Sequence, residues 1–200
     1  MKPAPLPRPF YLRPNVVTVA RELLGMVITT EFDGRRTAGI IAETEAYAGV
    51  NDRASHAFGG KRTKRNEPMY AAGGIAYVYL CYGIHHLFNV VTNVEDVPHA
   101  VLVRGIIPLE GIDIMRARRG AARLTTHGPG TMSTALGIRT ELSGTDLING
   151  PVRIEDHGMR IADPDVLVGP RIGVDYAGAD AQLPYRFRIA PSRLSSLAQQ

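Results

Sequence analysis

Residues 26–47 read MVITTEFDGRRTAGIIAETEAY, two apolar segments separated by a short polar turn. The dipeptide Asp33-Gly34 is a strong signal for a tight hairpin turn, and the segments beside it are rich in β-branched residues. The stretch therefore predicts two antiparallel strands, over residues 26–32 and 37–47. The body of the protein begins with this hairpin.

Two glutamates and a tyrosine alternate at the end of the second predicted strand. Because strand side chains alternate between two faces, Glu43, Glu45 and Tyr47 are expected to share one face. A solvated edge, a buried salt bridge and a catalytic carboxylate are all open interpretations. Flanked by Ala46 and Tyr47, the Glu45 carboxylate is partly desolvated, which raises its basicity enough to take a proton from water. The alternative is a strand glutamate paired with a surface arginine.

Paired acids also occur in glycosidases, which place two carboxylates across a sugar bond. Residues i and i+2 of a strand lie roughly 6.5–7 Å apart, near the lower limit for an inverting pair. However, the chain has no tryptophan to stack on a sugar, and its basic clusters would not serve a neutral polysaccharide. A polysaccharide hydrolase is therefore a distant alternative.

The composition indicates a single domain with a polyanionic partner. Two hundred residues with 44% hydrophobic content suit one sizeable core. The net charge of +4 and the clustering of arginine and lysine favour a polyanion. The only cysteine, Cys81, excludes an intrachain disulfide and fits a reducing compartment. No stretch approaches the roughly 18 apolar residues of a membrane span, so we expect a soluble, cytoplasmic protein with no membrane partner.

The remaining pattern predicts an α+β fold. Strands come first and helices are few, so we expect a single domain, residues 15–200, built on a curved, mainly antiparallel β-sheet with few flanking helices. A proline-rich N-terminal arm, residues 1–14, is expected to precede it in an extended conformation. The other predicted elements are a helix (15–24), a long ordered loop (49–74), strand regions (75–91, 99–108 and 184–190), a basic amphipathic helix within 109–124 and a loop (126–138).

The sequence GGKRTKRN, residues 59–66, concentrates positive charge beside two glycines. A loop of this kind can lay its backbone and its side chains Lys61, Arg62, Lys64 and Arg65 against phosphates. A solvated charge run is the alternative.

Three tyrosines follow in AYVYLCYG, residues 76–83. Tyr77 and Tyr79 share a strand face, whereas Tyr82 falls on the other face and precedes Gly83, where the backbone can turn. One ring can therefore line a pocket while another projects from a turn as a wedge, although strand tyrosines also occur in cores. His56 is either a hydrogen-bond donor in the pocket or a loop histidine. Neither HExxH nor paired Cys/His spacing occurs, so we expect no metal and no cofactor.

Taken in order, these motifs resemble the 3-methyladenine (alkyladenine) DNA glycosylase family. The resemblance spans about residues 15 to 190 and includes His56, nine residues after Tyr47. The motifs that carry it are ETEAY (43–47), RTKRN (62–66), YVYLCYG (77–83), NVV (89–91), AVLVRG (100–105), HGPG (127–130) and YRFRI (185–189).

The resemblance implies a monofunctional enzyme that flips alkylated or deaminated purines out of duplex DNA and hydrolyses the N-glycosidic bond, leaving an abasic site. Its partner would be double-stranded DNA with damaged purines, and we expect a monomer, associated with the nucleoid in a bacterium. The resemblance assigns roles as follows: Glu45 activates water; Arg104 holds the phosphate and the water; the Ile189 carbonyl also holds the water; Tyr47, His56 and Tyr79 form the base pocket; Asn89 screens purine substituents; Tyr82 fills the vacated place; and Lys61, Arg62, Thr63 and Arg65 contact DNA.

A non-catalytic nucleic-acid-binding module is the alternative from another functional class, with Glu45 incidental. The chain also departs from the family pattern. Lys64 stands where many relatives have proline, Ile84 and His85 replace the Met and Tyr of some relatives, and Thr131 replaces a frequent lysine. The preferred lesion depends on pocket details around His56 and Asn89.

Overall fold

The computed structural model of the protein describes residues 3–120 and 123–197. The strands are β1 (Ala4–Pro5), β2 (Val27–Phe32), β3 (Arg35–Tyr47), β4 (Ala76–Cys81), β5 (His85–Thr92), β6 (His99–Glu110), β7 (Val152–Asp156), β8 (Val166–Gly169) and β9 (Arg186–Ile189). They pair in antiparallel fashion in one curled sheet with the order β1-β7-β2-β3-β6-β5-β4, and β9 pairs with β3 and β8. The predicted α+β, single-domain fold is confirmed.

Helices flank this sheet, and short 3-10 turns interrupt the loops. The helices are α1 (Arg8–Tyr11), α2 (Val16–Glu22), α3 (Ile112–Arg119), α4 (Pro129–Leu136) and α5 (Pro191–Leu197). The 3-10 turns are Gly49–Asn51, Phe58–Gly60, Glu67–Tyr70, Thr140–Leu142, Asp163–Asp165 and Asp175–Gln182. None of the described helices is long and apolar enough to cross a membrane.

The predicted hairpin forms the centre of the sheet. Asp33 and Gly34 both have positive φ, 53° and 70°, which suits the turn between β2 and β3. Strand β3 pairs with β6 along one edge, while its other edge pairs first with β2 and then, from Glu43 to Glu45, with β9. The β3–β6 register shifts near Glu43, and such bulges increase strand twist. The curvature therefore falls next to the paired acids.

The core fixes the direction of the acids at the end of β3. The Thr44 hydroxyl donates to the Ala20 carbonyl in α2, so Thr44 points to the helix-covered face. By alternation Glu43 and Glu45 point to the opposite face. Helix α2 begins as predicted, with Asn15 accepting a hydrogen bond from the Thr18 N–H at 3.0 Å.

The N-terminal segment differs from the predicted extended arm. Strand β1 pairs with β7, and Arg8–Tyr11 forms a helical turn whose Tyr11 is fully buried. A proline at the start of a helix costs no hydrogen bond, because the first N–H groups have no intrahelical partner, and Pro9 occupies such a position. Residues 1–2 of the expected arm lie outside the described residues.

The prediction of a loop over residues 126–138 is wrong, because Pro129–Leu136 forms α4. Its buried Met132, Ala135 and Leu136 follow helical spacing, and Pro129 starts the helix. Strands β1, β7 and β8 were not predicted, since each is short and depends on its partners.

In the region predicted to hold the basic helix, Leu109 and Glu110 instead end β6, and the helix spans Ile112–Arg119. Gly111 and Gly120 bound it in left-handed conformations. The part of the predicted stretch at residues 121–122 lies outside the described residues.

Candidate active site

A cavity of about 560 Å³ opens on the face of the sheet to which Glu43 and Glu45 point. The residues predicted for the base pocket come together in its wall. The predicted residues that line it are Tyr47, His56, Arg65, Tyr79, Tyr82, Asn89 and Arg104.

Glu45 lies directly behind this wall and is fully buried. Its Oε2 accepts hydrogen bonds from Tyr47 Oη at 2.9 Å and Arg104 Nη1 at 3.3 Å, while Oε1 accepts from the Ile172 N–H at 2.8 Å. All three donors belong to residues that line the cavity. The carboxylate therefore reaches the cavity through its hydrogen-bond partners.

Burial raises the pKa of Glu45 above its usual range. The positive charge of Arg104, the Ile172 N–H and the Tyr47 hydroxyl act in the opposite direction, and nearby Glu43 adds to the increase. Burial and Glu45 also raise the pKa of Tyr47, so its hydroxyl keeps its proton and can donate. The arrangement is a buried, hydrogen-bonded carboxylate with enhanced basicity.

Glu43 differs from Glu45 because it bridges two arginines. Its Oε1 accepts from Arg186 Nε at 2.6 Å and from Arg104 Nε at 3.2 Å. Arg104 thus contacts both acids with different nitrogens. Glu43 holds the arginine that in turn contacts Glu45.

The predicted aromatic wall forms around His56. His56 Nδ1 lies 2.8 Å from Tyr77 Oη, and the His56 and Tyr79 rings meet edge to face with centroids 4.6 Å apart. Desolvation lowers the pKa of His56, and the positive charges of Arg65 and Lys61 lower it further, so the ring is neutral near pH 7. A neutral ring avoids repelling a cationic ligand.

Asn89 lies on β5 and is almost fully buried. Its Nδ2 donates to the carbonyls of Tyr77 and Leu87, at 3.1 and 3.3 Å, which fixes the amide. Within residues 3–120 and 123–197, its Oδ1 has no hydrogen-bond partner. The cavity wall therefore contains an oriented amide.

Tyr82 is at the tip of the β4–β5 hairpin and is 91% exposed. Its φ of 52° is unusual for a residue other than glycine, and Gly83 follows at 73°. The Ile84 N–H closes the turn on the Cys81 carbonyl at 3.2 Å, and Ile84 is itself 70% exposed. A strained turn thus presents two apolar side chains to solvent.

The basic loop, residues 59–66, contains two arginines with different partners. Arg62 is paired with Glu67 and with Asp96, at 2.5 and 2.7 Å. Arg65 instead donates to the Leu80 carbonyl, and its guanidinium lies 5.3 Å from the Tyr79 ring centroid. The role of Arg62 in DNA contact stays a prediction, and its charge is already neutralised within the protein.

Asn66 organises this loop and was not predicted as a site residue. It is buried, and its Nδ2 donates to the carbonyls of His56 and Lys61, at 3.0 and 2.8 Å. Its Oδ1 accepts from the N–H and the hydroxyl of Thr63. Asn66 therefore links the basic loop to the pocket histidine.

The β4–β5 hairpin also contacts the start of α4. A Cβ at Gly130 would lie 2.8 Å from His85 Nδ1, so a larger residue there would force the His85 side chain to shift. The Thr131 hydroxyl donates to the Gly128 carbonyl, which ties it to the helix start. Ile84, His85 and Thr131, which depart from the family pattern, thus lie at or beside the cavity rim.

Sequence analysis missed the segment around Ile172, which no motif or periodicity marked. This segment contributes Arg171, Ile172 and Tyr176 to the site, although it lies far along the chain from Glu45. Ile189, expected to offer its carbonyl, lies in β9 paired with Val166 and is not among the residues lining the cavity. The main-chain group that reaches Glu45 belongs to Ile172. Among the described residues, no three His, Cys, Asp or Glu side chains cluster as metal ligands would.

Comparison with known proteins identifies the family of this chain. A family model for methylpurine-DNA glycosylase matches residues 9–193. A relative from Chlamydia abortus is 47% identical over 92% of this chain and 97% of its own length. Relatives from Carboxydothermus hydrogenoformans and Desulfitobacterium hafniense are 43% and 39% identical, each over 96% of this chain and 98% of their own length.

All three relatives carry the name "Putative 3-methyladenine DNA glycosylase". The matches are thus to DNA glycosylases as a class. The chain belongs to the methylpurine-DNA glycosylase family.

Proposed function

We propose that this protein is a monofunctional DNA glycosylase that removes alkylated or deaminated purines from duplex DNA and leaves an abasic site. The observation that carries the proposal is the fully buried Glu45, held by Arg104, Tyr47 and the Ile172 N–H directly behind an aromatic cavity. A binding module gains nothing from a buried carboxylate of enhanced basicity. A hydrolase that activates water needs one.

The cavity suits an electron-poor purine. Tyr79 and His56 offer aromatic surface, and Tyr47 adds another ring beside Glu45. An alkylated purine carries positive charge, and each stacking or cation–π contact contributes about 0.5–2 kcal/mol. The fixed amide of Asn89 would screen substituents on the purine edge. Selection then depends on the electronics of the base as well as its shape.

Glu45 would act on water and on the sugar. As the N-glycosidic bond breaks, its electron pair leaves with the base and positive charge develops on the sugar. The carboxylate stabilises that charge and accepts a proton from the water whose oxygen bonds to the anomeric carbon. Arg104 would hold the adjacent phosphate and the water.

A base inside a duplex must leave the stack before this reaction, at a cost of a few kcal/mol. The exposed ring of Tyr82 at the hairpin tip would fill the vacated place. Lys61, Thr63 and Arg65 would contact phosphates, and Arg62 would contribute less because Glu67 and Asp96 already neutralise it.

Monofunctional chemistry is supported by the distribution of lysine. The chain has three lysines, Lys2, Lys61 and Lys64, and none of the described residues lining the cavity is a lysine. Among the described residues of the cavity wall there is no amine to form an imine with the sugar, so borohydride should trap no covalent complex.

A panel of duplexes tests the function, each with one 3-methyladenine, 7-methylguanine, hypoxanthine or ethenoadenine, scored for abasic sites. We expect release of at least one damaged base with intact strands. Binding to every duplex without release would instead favour the non-catalytic nucleic-acid-binding module. We further propose that the protein acts as a monomer in the compartment that holds the DNA, without cofactor or metal.

A further inference from the structure

A second buried ion pair lies behind the cavity wall. Arg171 and Asp52 are 5% and 3% exposed, and neither lines the cavity. Arg171 Nη1 and Nη2 bond the two carboxylate oxygens of Asp52 at 2.5 and 2.8 Å, in the bidentate geometry that only arginine provides. A buried ion pair is costly to desolvate and is weak evidence for stability alone. Its further contacts are therefore informative.

Each partner of the pair also holds backbone from other parts of the chain. Asp52 accepts the N–H groups of Ala48 and Ala54, each at 3.0 Å. Arg171 donates to the carbonyls of Ala46 and Asp180, each at 3.0 Å. The pair thus joins the end of β3, the loop that follows it and two distant segments.

Two of the three hydrogen-bond donors of Glu45 lie next to this pair. The peptide that follows Arg171 carries the Ile172 N–H, which donates to Glu45 Oε1 at 2.8 Å. Because a peptide unit is planar, that N–H turns only together with the Arg171 carbonyl, and anchoring the Arg171 side chain restricts this rotation. The Arg171 guanidinium carbon lies 4.9 Å from the centre of the Tyr47 ring, whose hydroxyl donates to Glu45 Oε2.

We propose that Arg171 and Asp52 are positioning residues for Glu45: the bidentate pair aims the Ile172 N–H and the Tyr47 hydroxyl at the carboxylate. The catalytic part of this inference rests on the proposed function, whereas the geometric part does not. Neither residue contacts the base. Both act through the donors that they hold in place.

The proposal has a consequence that a purely structural ion pair lacks. The charged and titratable groups facing Glu45 are Arg104 from β6, Glu43 and Tyr47 from its own strand, Arg186 of β9 through Glu43, and Arg171 itself. Those groups remain when the pair is broken. Loss of a well-aimed N–H removes one interaction that lowers the pKa of Glu45, so that pKa should rise.

Asp52→Asn and Arg171→Lys test the proposal. Asp52→Asn keeps the size of the side chain but removes its negative charge. Arg171→Lys keeps the positive charge but loses the bidentate hydrogen bonding of the guanidinium. Asp146→Asn is the matched control, because it breaks the Arg8–Asp146 pair away from the cavity. For each protein, ¹³C NMR titration of the Glu45 carboxyl, assigned with Glu45→Gln, is compared with the pH profile of single-turnover base release.

We expect Arg171→Lys, which keeps the charge, to raise the Glu45 pKa and to slow base release at neutral pH by up to about tenfold, with recovery at higher pH and lesion affinity little changed. Asp52→Asn should shift the titration less, because the unpaired Arg171 charge lowers the Glu45 pKa. Asp146→Asn should lower the melting temperature without moving the titration. If Asp52→Asn does not fold, Arg171→Lys alone tests the positioning, since the lysine retains the positive charge beside Asp52.

An unchanged Glu45 titration in folded Arg171→Lys overturns the proposal. So does an equal loss of base release at every pH. The NMR titration does not depend on turnover. A wild-type protein that releases no base from any duplex therefore refutes the proposed function, while the titration still decides the positioning.

Discussion

The Ile172 N–H lies 2.8 Å from Oε1 of Glu45, although 127 positions separate them in the chain. Among substitutions at position 172 only proline would remove this main-chain donor, so its direction depends on how the segment is held. The contact favours the ionised carboxylate in a site whose burial favours the neutral one. The balance of these effects sets the basicity available for catalysis.

Glu45→Gln should separate binding from chemistry. The amide keeps size and most hydrogen bonds but removes the base and its negative charge. Lesion DNA should bind within about tenfold of wild type, while single-turnover base release falls by roughly 10²–10⁴. The melting temperature should be equal or higher, because a buried charge is removed. Near-normal turnover would end the catalytic assignment of Glu45.

Glu43→Gln is the matched comparison, and it should affect stability more than chemistry. The substitution leaves Arg186 without its charged partner at 2.6 Å and removes one of the two carboxylates that Arg104 contacts. It should cost about 1–3 kcal/mol of unfolding free energy. Denaturant unfolding of both variants measures this. If Glu43→Gln lost as much turnover as Glu45→Gln while remaining as stable as wild type, the asymmetric roles of the two acids would be wrong.

The pH dependence should follow ionisation of Glu45. Its pKa is above the ordinary value of 4.5, so base release should fall on the acid side with a midpoint above 4.5. The folded protein holds this proton more tightly than the unfolded chain. The Glu45 contribution to unfolding free energy therefore declines as pH rises from about 4.5 through the raised pKa. Glu45→Gln should lack that decline, and pH-dependent denaturation of both proteins measures the difference.

Tyr82→Ala should weaken lesion recognition in duplex much more than in single-stranded substrate, because only a duplex has a gap to fill. Tyr82→Gly controls for backbone strain. It removes the same ring but tolerates the positive φ, so it should be more stable than the alanine variant by about 1 kcal/mol and equally impaired on duplex. Equal losses on duplex and single strands would refute the wedge.

Lys61→Gln and Arg62→Gln should differ in their effect on DNA binding. Lys61 is exposed, so its removal should weaken binding to all sequences and reduce the salt slope by about 1. Arg62 is already paired with Glu67 and Asp96, so its removal should change the slope less. Titrations across a range of salt concentration make the comparison. Identical salt slopes of DNA binding in both variants and wild type would indicate that the loop is a solvated charge run without phosphate contacts.

Local sequence determined the hairpin and the direction of its acids. Asp33-Gly34 set the turn, and strand alternation placed Glu43 and Glu45 on one face. Asn15 set the start of α2 by its own side chain. These features need only neighbours in the chain, which is why pattern alone predicted them. The fold class followed from the order of such elements.

Ordered motifs, through the family resemblance, predicted Tyr47, His56, Tyr79 and Arg104 as site residues, and these do line one cavity. Motif content did not predict α4, where helical packing of Met132 and Leu136 outweighs two glycines at its start.

Only the tertiary structure decided the hydrogen-bond partners and the burial of the two carboxylates. The Arg104 and Arg186 contacts divide the roles of the acids, and the Arg171–Asp52 pair brings the Ile172 N–H to Glu45. These contacts join segments that are far apart in sequence and leave no periodic signal in any of them. Burial, which raises the basicity of Glu45, is likewise a property of the packed protein. Local residues specify which groups are available, whereas long-range packing specifies their distances, their solvation and thus their chemistry.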